Sequence, residues 1–385
     1  MPEQTTTTGK GLEGIVVAQT QLSKVQGDIG KLQYHGYNIQ DLAEYATFEE
    51  VIYLLWNLKL PTKTELETLH KEIVSCQKTP QEIFDTMRSY PRDANPMAVL
   101  RTAVSELALF DPESEDNSPE ANRRKAARLV AAIPIFIAAW ERIRSGKDPV
   151  APRDDLFIAA NFLYMMNGQA PTDTQIKSLD TYLVLLADHG MNASTFSARV
   201  TTSTLADMYS AITSAIGTLK GSAHGGANQK AMEQFMSIGG PDKVDAWFEE
   251  SMRTGRRIMG IGHRVYKAVD PRAQVLRTQA QALADEAGGE VRDWFEVANR
   301  LEQCARAHEY FTERNLYANV DYYSAISLYQ VGIPVDQFTP VFAMSRIAGW
   351  SAHVMEQWAD NRLIRPRGEY LGPVDQPWIP MEQRK

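Results

Sequence analysis

The chain has 385 residues, of which 44% are hydrophobic and 23% charged, and its formal net charge is −8. These values are typical of a globular protein of one or two domains and exclude a disordered or fibrous chain. The excess of acidic residues argues against general nucleic-acid binding, which needs a concentrated basic face.

The sequence also carries signals for the cellular compartment and for membrane insertion. Residues 1–10 lack the basic-then-apolar layout of a signal peptide, and the two cysteines, Cys76 and Cys304, cannot form a disulfide framework. Both features predict a cytoplasmic protein, and the two cysteines predict neither structural disulfides nor a structural metal site. The longest apolar run, residues 129–140, contains Pro134 and is too short to span a bilayer, so it predicts a buried helix.

In chain order, the first predicted element is a small sheet. Glycine punctuation and short apolar segments at 15–17 and 31–34 predict two or three short strands within residues 11–37. Helix signals dominate from there on. Helix starts are predicted at six caps: Thr47 with Glu50, Thr62 with Glu65, Ser118 before Pro119, Thr172 with Gln175, Asp270 before Pro271, and Thr339 before Pro340.

The later helices are predicted with their ends. The helix after Thr172 is expected to end at a Gly190 C-cap, and others are expected over residues 203–219, 270–288 and 292–314, with a last one from 339 to about 362. No alternation of strand and helix is found. The sequence therefore predicts an all-α protein with a minor β element near the N-terminus.

One stretch combines a glycine turn, a histidine and several cations. Gly260 and Gly262 allow the backbone to lie close to a flat ligand, and His263 follows directly. Arg272 lies at the start of the next helix, whose N–H groups are expected to face an anion. This stretch, residues 255–272, predicts a site for a negatively charged small molecule. An ordinary turn histidine is the alternative.

Two further positions carry candidate chemistry. His224 lies between glycine turns after one helix and before the next, where an incidental loop histidine is the alternative. Asp321 lies among Val320, Tyr322 and Tyr323, an apolar setting that raises the cost of ionisation and suits a general base. The alternative for Asp321 is a helix N-cap.

Two histidines and one aspartate permit two kinds of site. One is a two-histidine, one-carboxylate iron site, and the other is metal-free acid–base catalysis on carbon. His224, His263 and Asp321 are widely separated in sequence, and the cations around His263 would repel a metal ion. These facts favour metal-free chemistry on an anionic substrate.

Three stretches in this order, residues 221–228, 260–272 and 319–325, resemble the citrate synthase family in its bacterial and archaeal form. The resemblance extends from Gly-Leu-Glu-Gly near residue 11 to the Arg-Pro-Arg-Gly-Glu-Tyr-Leu-Gly-Pro segment that begins at Arg365. Ala318 departs from the family pattern, which often has proline there, and so do Ser222 and Ala223.

The resemblance implies a helical fold, an activity and a set of partners. It implies a large domain of residues 1–225 and 333–385 and a smaller one of residues 226–332 that closes over the substrates. It implies condensation of acetyl-CoA with oxaloacetate and hydrolysis to citrate and CoA, with acetyl-CoA as a substrate and no cofactor. The active site would be shared between the subunits of a homodimer.

The resemblance also implies roles for particular residues. Asp321 would remove a methyl proton from acetyl-CoA, His224 would stabilise the enol or enolate oxygen, and His263 would polarise the oxaloacetate carbonyl. Oxaloacetate has two carboxylates, which guanidinium groups match in a bidentate manner. The residues implied to bind it are His189, Arg272, Arg346 and, from the partner subunit, Arg365.

Some assignments keep an alternative. Arg346 alternatively pairs with an acid on its own helix, and Arg367 competes with Arg365 for the family position. For CoA, the family segment that cups the adenine matches Ile258, Met259, Gly260, Ile261 and Gly262, and the candidates to meet the phosphates are Arg264 and Lys267. The alternative for these two cations is a solvated surface position.

Two other functions remain open. A 2-methylcitrate synthase uses propionyl-CoA in the same chemistry, and one methylene in an acyl pocket is worth only about 1–3 kcal/mol. A non-catalytic CoA- or dicarboxylate-binding protein is the alternative from another class. It is disfavoured because all three reacting residues are present.

Overall fold

The computed structural model describes residues 9–262 and 266–384, and within them the chain is predominantly α-helical. The three antiparallel strands lie in the order β1 (Ser23–Gln26), β2 (Lys31–Tyr34), β3 (Tyr37–Asn38). The helices of the described chain are α1 Ile39–Tyr45, α2 Phe48–Asn57, α3 Lys63–Ser75, α4 Gln81–Arg88, α5 Pro96–Leu107, α6 Pro119–Arg144, α7 Ile158–Asn167, α8 Asp173–Leu186, α9 Ala193–Ser203, α10 Met208–Leu219, α11 Ala227–Ile238, α12 Val244–Thr254, α13 Pro271–Ala287, α14 Gly289–Ala307, α15 Glu309–Thr312, α16 Val320–Gln330 and α17 Phe338–Ala359. The all-α prediction is confirmed.

Most predicted helix starts are confirmed with their capping contacts. The capping boxes of α2, α3 and α8 are all formed, as at Thr47, whose hydroxyl accepts the Glu50 N–H (3.3 Å) while its own N–H donates to the Glu50 carboxylate (2.7 Å). Ser118 caps α6 and Asp270 caps α13. These starts depend on local hydrogen bonds, which is why the sequence predicts them well.

One predicted strand and one predicted helix end are wrong, because contacts with distant parts of the chain decide both. Residues 15–17 are not a strand in the described chain, because no neighbouring strand pairs with them, and Val16 is 87% exposed. Helix α8 ends at Leu186, before the predicted Gly190. Beyond it the Asp188 N–H donates to the Tyr34 hydroxyl (3.1 Å). Contacts with the sheet therefore replace a glycine cap.

Three other helix boundaries also differ. Helix α10 begins at Met208 and not at 203, since Asp207 caps it by accepting the Ser210 N–H (2.9 Å). The helix predicted over 292–314 is divided at His308, whose ring accepts the Tyr310 N–H (3.2 Å) and starts α15. Helix α17 begins at Phe338, because the Thr339 hydroxyl bonds the Gly225 carbonyl (3.3 Å) and does not cap a helix.

Helix α17 is the central element of the core. It packs against α2, α6, α8, α9 and α10, and most of its residues are buried. A Cβ on Gly349 would lie 2.4 Å from the Ala187 carbonyl oxygen, so glycine is required for this close approach to the end of α8. The predicted buried helix over 129–140 is confirmed as the inner part of α6, including Pro134. Among the described helices, none combines the length and apolar character needed to cross a bilayer.

A second group of helices forms around α16. Helices α11, α13 and α14 pack against α16, and α12 packs against α14. Contacts between α13 and α8 and between α11 and α17 join this group to the first. The ends of α8 and α10 and the starts of α13 and α16 consequently supply most of the residues described below.

A buried carboxyl makes stability depend on pH. Glu49 is fully buried in α2, where one oxygen accepts the Ile158 N–H (2.6 Å) and the other has no partner among the described residues. Burial, and then the Asp180 carboxylate, raise the pKa of Glu49 to about 8. The folded chain therefore holds a proton there that the unfolded chain has released above its ordinary pKa, and stability falls as the pH rises towards 8.

We expect Glu49→Gln to remove this loss, because the amide oxygen still accepts the Ile158 N–H and carries no charge. The midpoint of thermal unfolding should rise by about 2 °C or more at pH 8 and stay nearly unchanged at pH 4.5. Glu67→Gln, on the exposed face of α3, is the matched control. Equal shifts at both pH values would contradict a buried proton at Glu49.

Candidate active site

Two of the predicted motifs are joined by backbone hydrogen bonds. Ile261 forms an isolated antiparallel bridge with Ala318. The Asn319 N–H donates to the Gly260 carbonyl (2.9 Å), and the Asn319 side-chain amide donates to the Gly262 carbonyl (2.7 Å). The glycine turn is thereby fixed to the segment that carries Asp321.

Gly260 shows why this turn needs glycine. Its φ is +79°, and a Cβ would lie 2.9 Å from the ring of Tyr322. A side chain here would push the turn away from α16. The structure places the turn as the sequence predicts up to Gly262, while His263 and Arg264 lie outside the described residues.

Asp321 lies in the first turn of α16, half-buried. The N-cap is Asn319, whose side chain accepts the Asp321 N–H (2.9 Å), so the alternative of a capping role for Asp321 is wrong. Removal from water raises the pKa of Asp321 to about 6, against the opposing effect of the Arg272 and Arg346 guanidinium groups. A carboxylate of this kind is ionised at neutral pH and more basic than an exposed one.

His224 lies in the loop between α10 and α11, as predicted, and is half-buried. Its Nε2 accepts the backbone N–H of Ser194 (3.2 Å) and lies 2.8 Å from the Ser194 hydroxyl. Since a backbone N–H only donates, the proton of the neutral ring is on Nδ1. Burial, and then Arg346, lower the pKa of His224 to about 4, so the ring is neutral at pH 7. His224 therefore presents a neutral N–H donor.

His189, Tyr266 and Arg272 form one contact series. His189 Nε2 lies 3.1 Å from the Tyr266 hydroxyl, and the Arg272 guanidinium lies 5.7 Å from the centre of the Tyr266 ring. Sequence reasoning missed Tyr266, although it lies in the predicted stretch. Its position between two predicted residues is visible only once α8 and α13 are packed together.

The expected anion site at the start of α13 differs in one respect. The Asp270 carboxylate accepts the Arg272 N–H (3.1 Å) and also binds the Arg272 guanidinium through Nε (3.0 Å) and Nη2 (2.9 Å). The same carboxylate accepts the Val320 N–H (3.1 Å). Contrary to the prediction, the N–H groups at the start of α13 are thus not open to an external anion. Arg272 is the cation that can bind one.

Arg346 is buried in α17. Its Nε donates to the Leu186 carbonyl (2.7 Å), and its guanidinium lies 4.7 Å from the centre of the Phe342 ring. Within residues 9–262 and 266–384 no carboxylate lies within ion-pair distance of it, so the alternative pairing with an acid on its own helix is not found. A guanidinium has five N–H donors, and a buried one without a carboxylate is suited to bind an anionic ligand.

Arg365 and Lys267 lie apart from this group in the single chain. Arg365 is exposed in the segment after α17, beside a cavity of about 820 Å³ that Arg199 and Glu356 also line. Lys267 is exposed, and its ammonium group lies 3.3 Å from the Asp28 carboxylate. Within the described chain, neither side chain makes a contact that links it to Asp321.

A second cavity, of about 710 Å³, adjoins the glycine turn. Three predicted CoA residues line it, namely Ile258, Ile261 and Gly262. Met259 and Gly260 do not, and the Met259 N–H instead donates to the Gln234 side chain (2.8 Å). Three residues of the predicted stretch that were not assigned to CoA also line it: Gly255, Arg256 and Arg257. The remaining lining residues carried no sequence signal: Met252, His308, Tyr310, Phe311 and Leu316. Its combination of aromatic and cationic groups suits an aromatic ligand with phosphates.

Tyr182 is another group that sequence reasoning missed. It is buried in α8, and its hydroxyl has no hydrogen-bond partner among the described residues. Burial and the charge of Asp321 raise its pKa, while Arg346 and Arg272 act in the opposite direction. Nothing in the sequence around Tyr182 indicates that it is close enough to Asp321, Arg346 and Arg272 to be affected by their charges.

The iron-site alternative required three converging ligands. Among the residues that the structure describes, no group of three His, Cys, Asp or Glu side chains is placed to hold a metal ion. His263, one of the three ligands of that alternative, is outside the described residues.

Comparison with known proteins gives consistent matches. The family model described as citrate synthase, C-terminal domain, matches residues 11–367. The chain is 46% identical to citrate synthase 2 of Bacillus subtilis over 98% of this chain and 100% of that protein. It is 47% identical to citrate synthase of Haloferax volcanii, over 97% and 98% respectively. It is also 40% identical to a 2-methylcitrate synthase of Mycobacterium tuberculosis, over 94% and 90%.

Solved structures give the same result. The crystal structure of citrate synthase from Pyrobaculum aerophilum matches with a TM-score of 0.91 and 41% identity, over 97% of this chain and 95% of that one. The structure of the ternary complex of citrate synthase from Thermoplasma acidophilum with carboxymethyl coenzyme A and oxaloacetate matches with a TM-score of 0.90 and 34% identity, over 97% of this chain and 99% of that one. With the family model matching almost the whole chain, this protein belongs to the citrate synthase family of enzymes.

Proposed function

We propose that the chain is a citrate synthase, which condenses acetyl-CoA with oxaloacetate and water to give citrate and CoA. The observation that carries the proposal is the presence of both a half-buried carboxylate of raised basicity at Asp321 and a neutral N–H donor at His224, each of which is influenced by the charge of Arg346. A base and a donor of this kind are what proton removal next to a thioester carbonyl requires.

The first step is formation of the enol or enolate. The Asp321 carboxylate takes a methyl proton from acetyl-CoA, and the electron pair of that C–H bond moves towards the thioester oxygen. A carboxylate is too weak a base to do this alone, so the developing oxygen charge needs a fixed donor. The Nδ1–H of His224 is that donor, because Nε2 is occupied by the Ser194 N–H.

The second step forms the carbon–carbon bond. The enolate carbon attacks the oxaloacetate carbonyl, whose oxygen gains a proton, and water then cleaves the thioester to release CoA. Protonation of that oxygen is assigned to His263 by its motif. Arg272, Arg346 and His189 bind the two carboxylates of oxaloacetate, since the first two are buried cations and His189 is linked to Arg272 through Tyr266.

The proposal includes a homodimer with two domains per chain. Arg365 would complete the oxaloacetate site of the partner subunit, which fits its exposure after α17. The large domain would comprise residues 1–225 and 333–385, and the smaller domain, residues 226–332, would close over the substrates and keep water out before condensation. The chain would act in the cytoplasm, and acetyl-CoA is a substrate, so no cofactor is required.

CoA would bind in the 710 Å³ cavity beside the glycine turn. Ile258 and Ile261 would contact the adenine, and the cations Arg256 and Arg257 join Arg264 and Lys267 as candidates for the phosphates. The Thermoplasma structure, which contains carboxymethyl coenzyme A and oxaloacetate, supports two such ligands in this fold.

A 2-methylcitrate synthase is the second candidate, favoured by the 40% identical Mycobacterium tuberculosis relative of that name. Thiol release from acetyl-CoA and from propionyl-CoA, each with and without oxaloacetate, distinguishes the two. We expect oxaloacetate-dependent release with acetyl-CoA as the better substrate. Preference for propionyl-CoA would support the second candidate, and no release from either would leave a binding protein.

The pKa of Asp321 sets a pH dependence. A general base must be ionised, so kcat/KM for acetyl-CoA should fall as the pH falls through 6, by about tenfold per unit below it. Far-ultraviolet circular dichroism at each pH shows whether the chain remains folded. A constant kcat/KM down to pH 5 in folded protein would contradict Asp321 as the base.

A further inference from the structure

The loop of residues 188–190, which presents His189, is held by side chains of the small sheet and of α17. The Tyr34 hydroxyl accepts the Asp188 N–H (3.1 Å), and the Ser23 hydroxyl accepts the Gly190 N–H (2.9 Å). The Asp188 carboxylate is fully buried, next to the end of α8. His189 therefore lies between two residues whose backbone N–H groups are both hydrogen-bonded to side chains of the small sheet.

The Asp188 carboxylate contacts the imidazole ring of His353 in α17. His353 Nε2 lies 3.3 Å from each of the two carboxylate oxygens, and both residues are fully buried. On the other side of the ring, Arg199 Nη1 donates to His353 Nδ1 (2.9 Å). Because a guanidinium only donates, Nδ1 accepts and the ring proton is on Nε2, directed at Asp188.

The series continues to the protein surface. Arg199 is buried and donates to Glu356 (2.6 Å) and to Gln357 (3.0 Å). Glu356 in turn accepts the Gln21 N–H (2.9 Å), two residues before the Ser23 that contacts Asp188. The segment of residues 20–23 thus contacts both ends of the series.

Stability alone does not account for this arrangement. Burying three ionisable side chains has a desolvation cost that their mutual attraction often fails to recover, and in other proteins apolar replacements of similar volume are often neutral or stabilising. What the series does provide is a single orientation of the Asp188 carboxylate, immediately before a residue of the active site. Precise orientation matters there because a displacement of about 1 Å can cost 10²-fold in activity.

We propose that His353 is a positioning residue for the 188–190 loop, fixing through Asp188 the place of His189 and hence the binding of the dicarboxylate substrate. This inference rests on the proposed function only in naming oxaloacetate as the ligand of His189. It predicts a defect in oxaloacetate binding that leaves the acyl-CoA side of the reaction unchanged.

Two amide substitutions separate the two contacts of the ring. The side-chain amide of His353→Gln reaches the place of Nε2 and keeps a donor to Asp188, whereas that of His353→Asn reaches the place of Nδ1 and keeps only the contact with Arg199. Ser351→Ala is the matched structural control. It removes a buried hydroxyl from the same helix, bonded to Trp56 (2.8 Å) and remote in contact from Asp188.

The experiment measures thermal stability, the half-saturation concentrations of oxaloacetate and acetyl-CoA, and oxaloacetate binding by calorimetry. We expect His353→Asn to weaken oxaloacetate about 10- to 100-fold with little change for acetyl-CoA, and His353→Gln to recover most of that loss. Ser351→Ala should lower thermal stability without changing either half-saturation concentration.

The outcomes are distinguishable. Equal oxaloacetate binding in wild type, His353→Asn and His353→Gln overturns the inference, as does a loss in both variants that follows their stability and affects acetyl-CoA equally. Wild-type chain that binds oxaloacetate but releases no thiol contradicts the proposed function, and the calorimetric comparison still decides the inference. Wild-type chain that binds no oxaloacetate overturns both.

Discussion

Asp321→Asn is expected to lower kcat by about 10³-fold while leaving oxaloacetate binding unchanged. The amide keeps the shape of the side chain but has no basic oxygen, and Asn319 still caps the helix through the Asp321 N–H. The measurement is oxaloacetate-dependent thiol release in steady state, together with calorimetric titration of oxaloacetate. The loss should appear in the chemical step and not in binding.

The matched control is Asp245→Asn, an exposed aspartate of α12 that pairs with Arg300 (2.7 Å). It should retain wild-type kcat. Deuterium uptake into the methyl group of acetyl-CoA from heavy water isolates the proton transfer itself. A variant at Asp321 that retains both thiol release and deuterium uptake would show that another group is the base.

His224→Gln is expected to lower kcat by about 10²- to 10³-fold, the usual effect of removing one donor to a developing oxyanion. The glutamine amide reaches the place of Nε2, the nitrogen that the Ser194 N–H already occupies, and leaves the place of Nδ1 without a donor. His224→Asn puts an amide near Nδ1 and should retain more activity. The order of kcat, wild type above Asn above Gln, tests which nitrogen acts.

His70→Gln, on α3 and bonded to the Asp154 carbonyl (3.0 Å), is the control for a histidine outside the site. It should match the wild type in kcat. If His224→Gln exceeded His224→Asn in activity, the active nitrogen would be Nε2 and the assigned tautomer would be wrong.

The fold was predictable where its signals are local. Side-chain caps such as Thr47 and Asp270 act within four residues, so their helices begin as the sequence indicates. The boundaries at Leu186 and Phe338 were not predictable, because hydrogen bonds between distant parts of the chain decide them: Asp188 N–H to the Tyr34 hydroxyl, and the Thr339 hydroxyl to the Gly225 carbonyl. Local propensity has no information on such partners.

The site was predictable through residues with unusual local settings. Gly260 and Gly262 mark a turn, and Asp321 stands out as a carboxylate among aromatic residues. Tyr266 joins His189 to Arg272, and Ser194 fixes the tautomer of His224, yet neither differs in sequence from an ordinary core residue. Their roles follow only from the distances between helices.

The expected anion site at the start of α13 illustrates a different limit. The sequence predicted that the N–H groups at this helix start would bind an external anion. In the structure the Asp270 carboxylate, which belongs to the chain itself, accepts the Arg272 N–H instead. A capping aspartate both starts the helix and occupies its N-terminus. The cation that is available to a substrate is therefore the Arg272 guanidinium and not the helix terminus.

The central claim is that this site forms a carbon–carbon bond between acetyl-CoA and oxaloacetate, and thiol release alone does not separate this from simple thioester hydrolysis. The most direct test is nuclear magnetic resonance of the products from acetyl-CoA labelled with ¹³C in its methyl group. We predict that the label appears in a methylene carbon of citrate, and only when oxaloacetate is present. Label recovered as free acetate, with or without oxaloacetate, would contradict the claim.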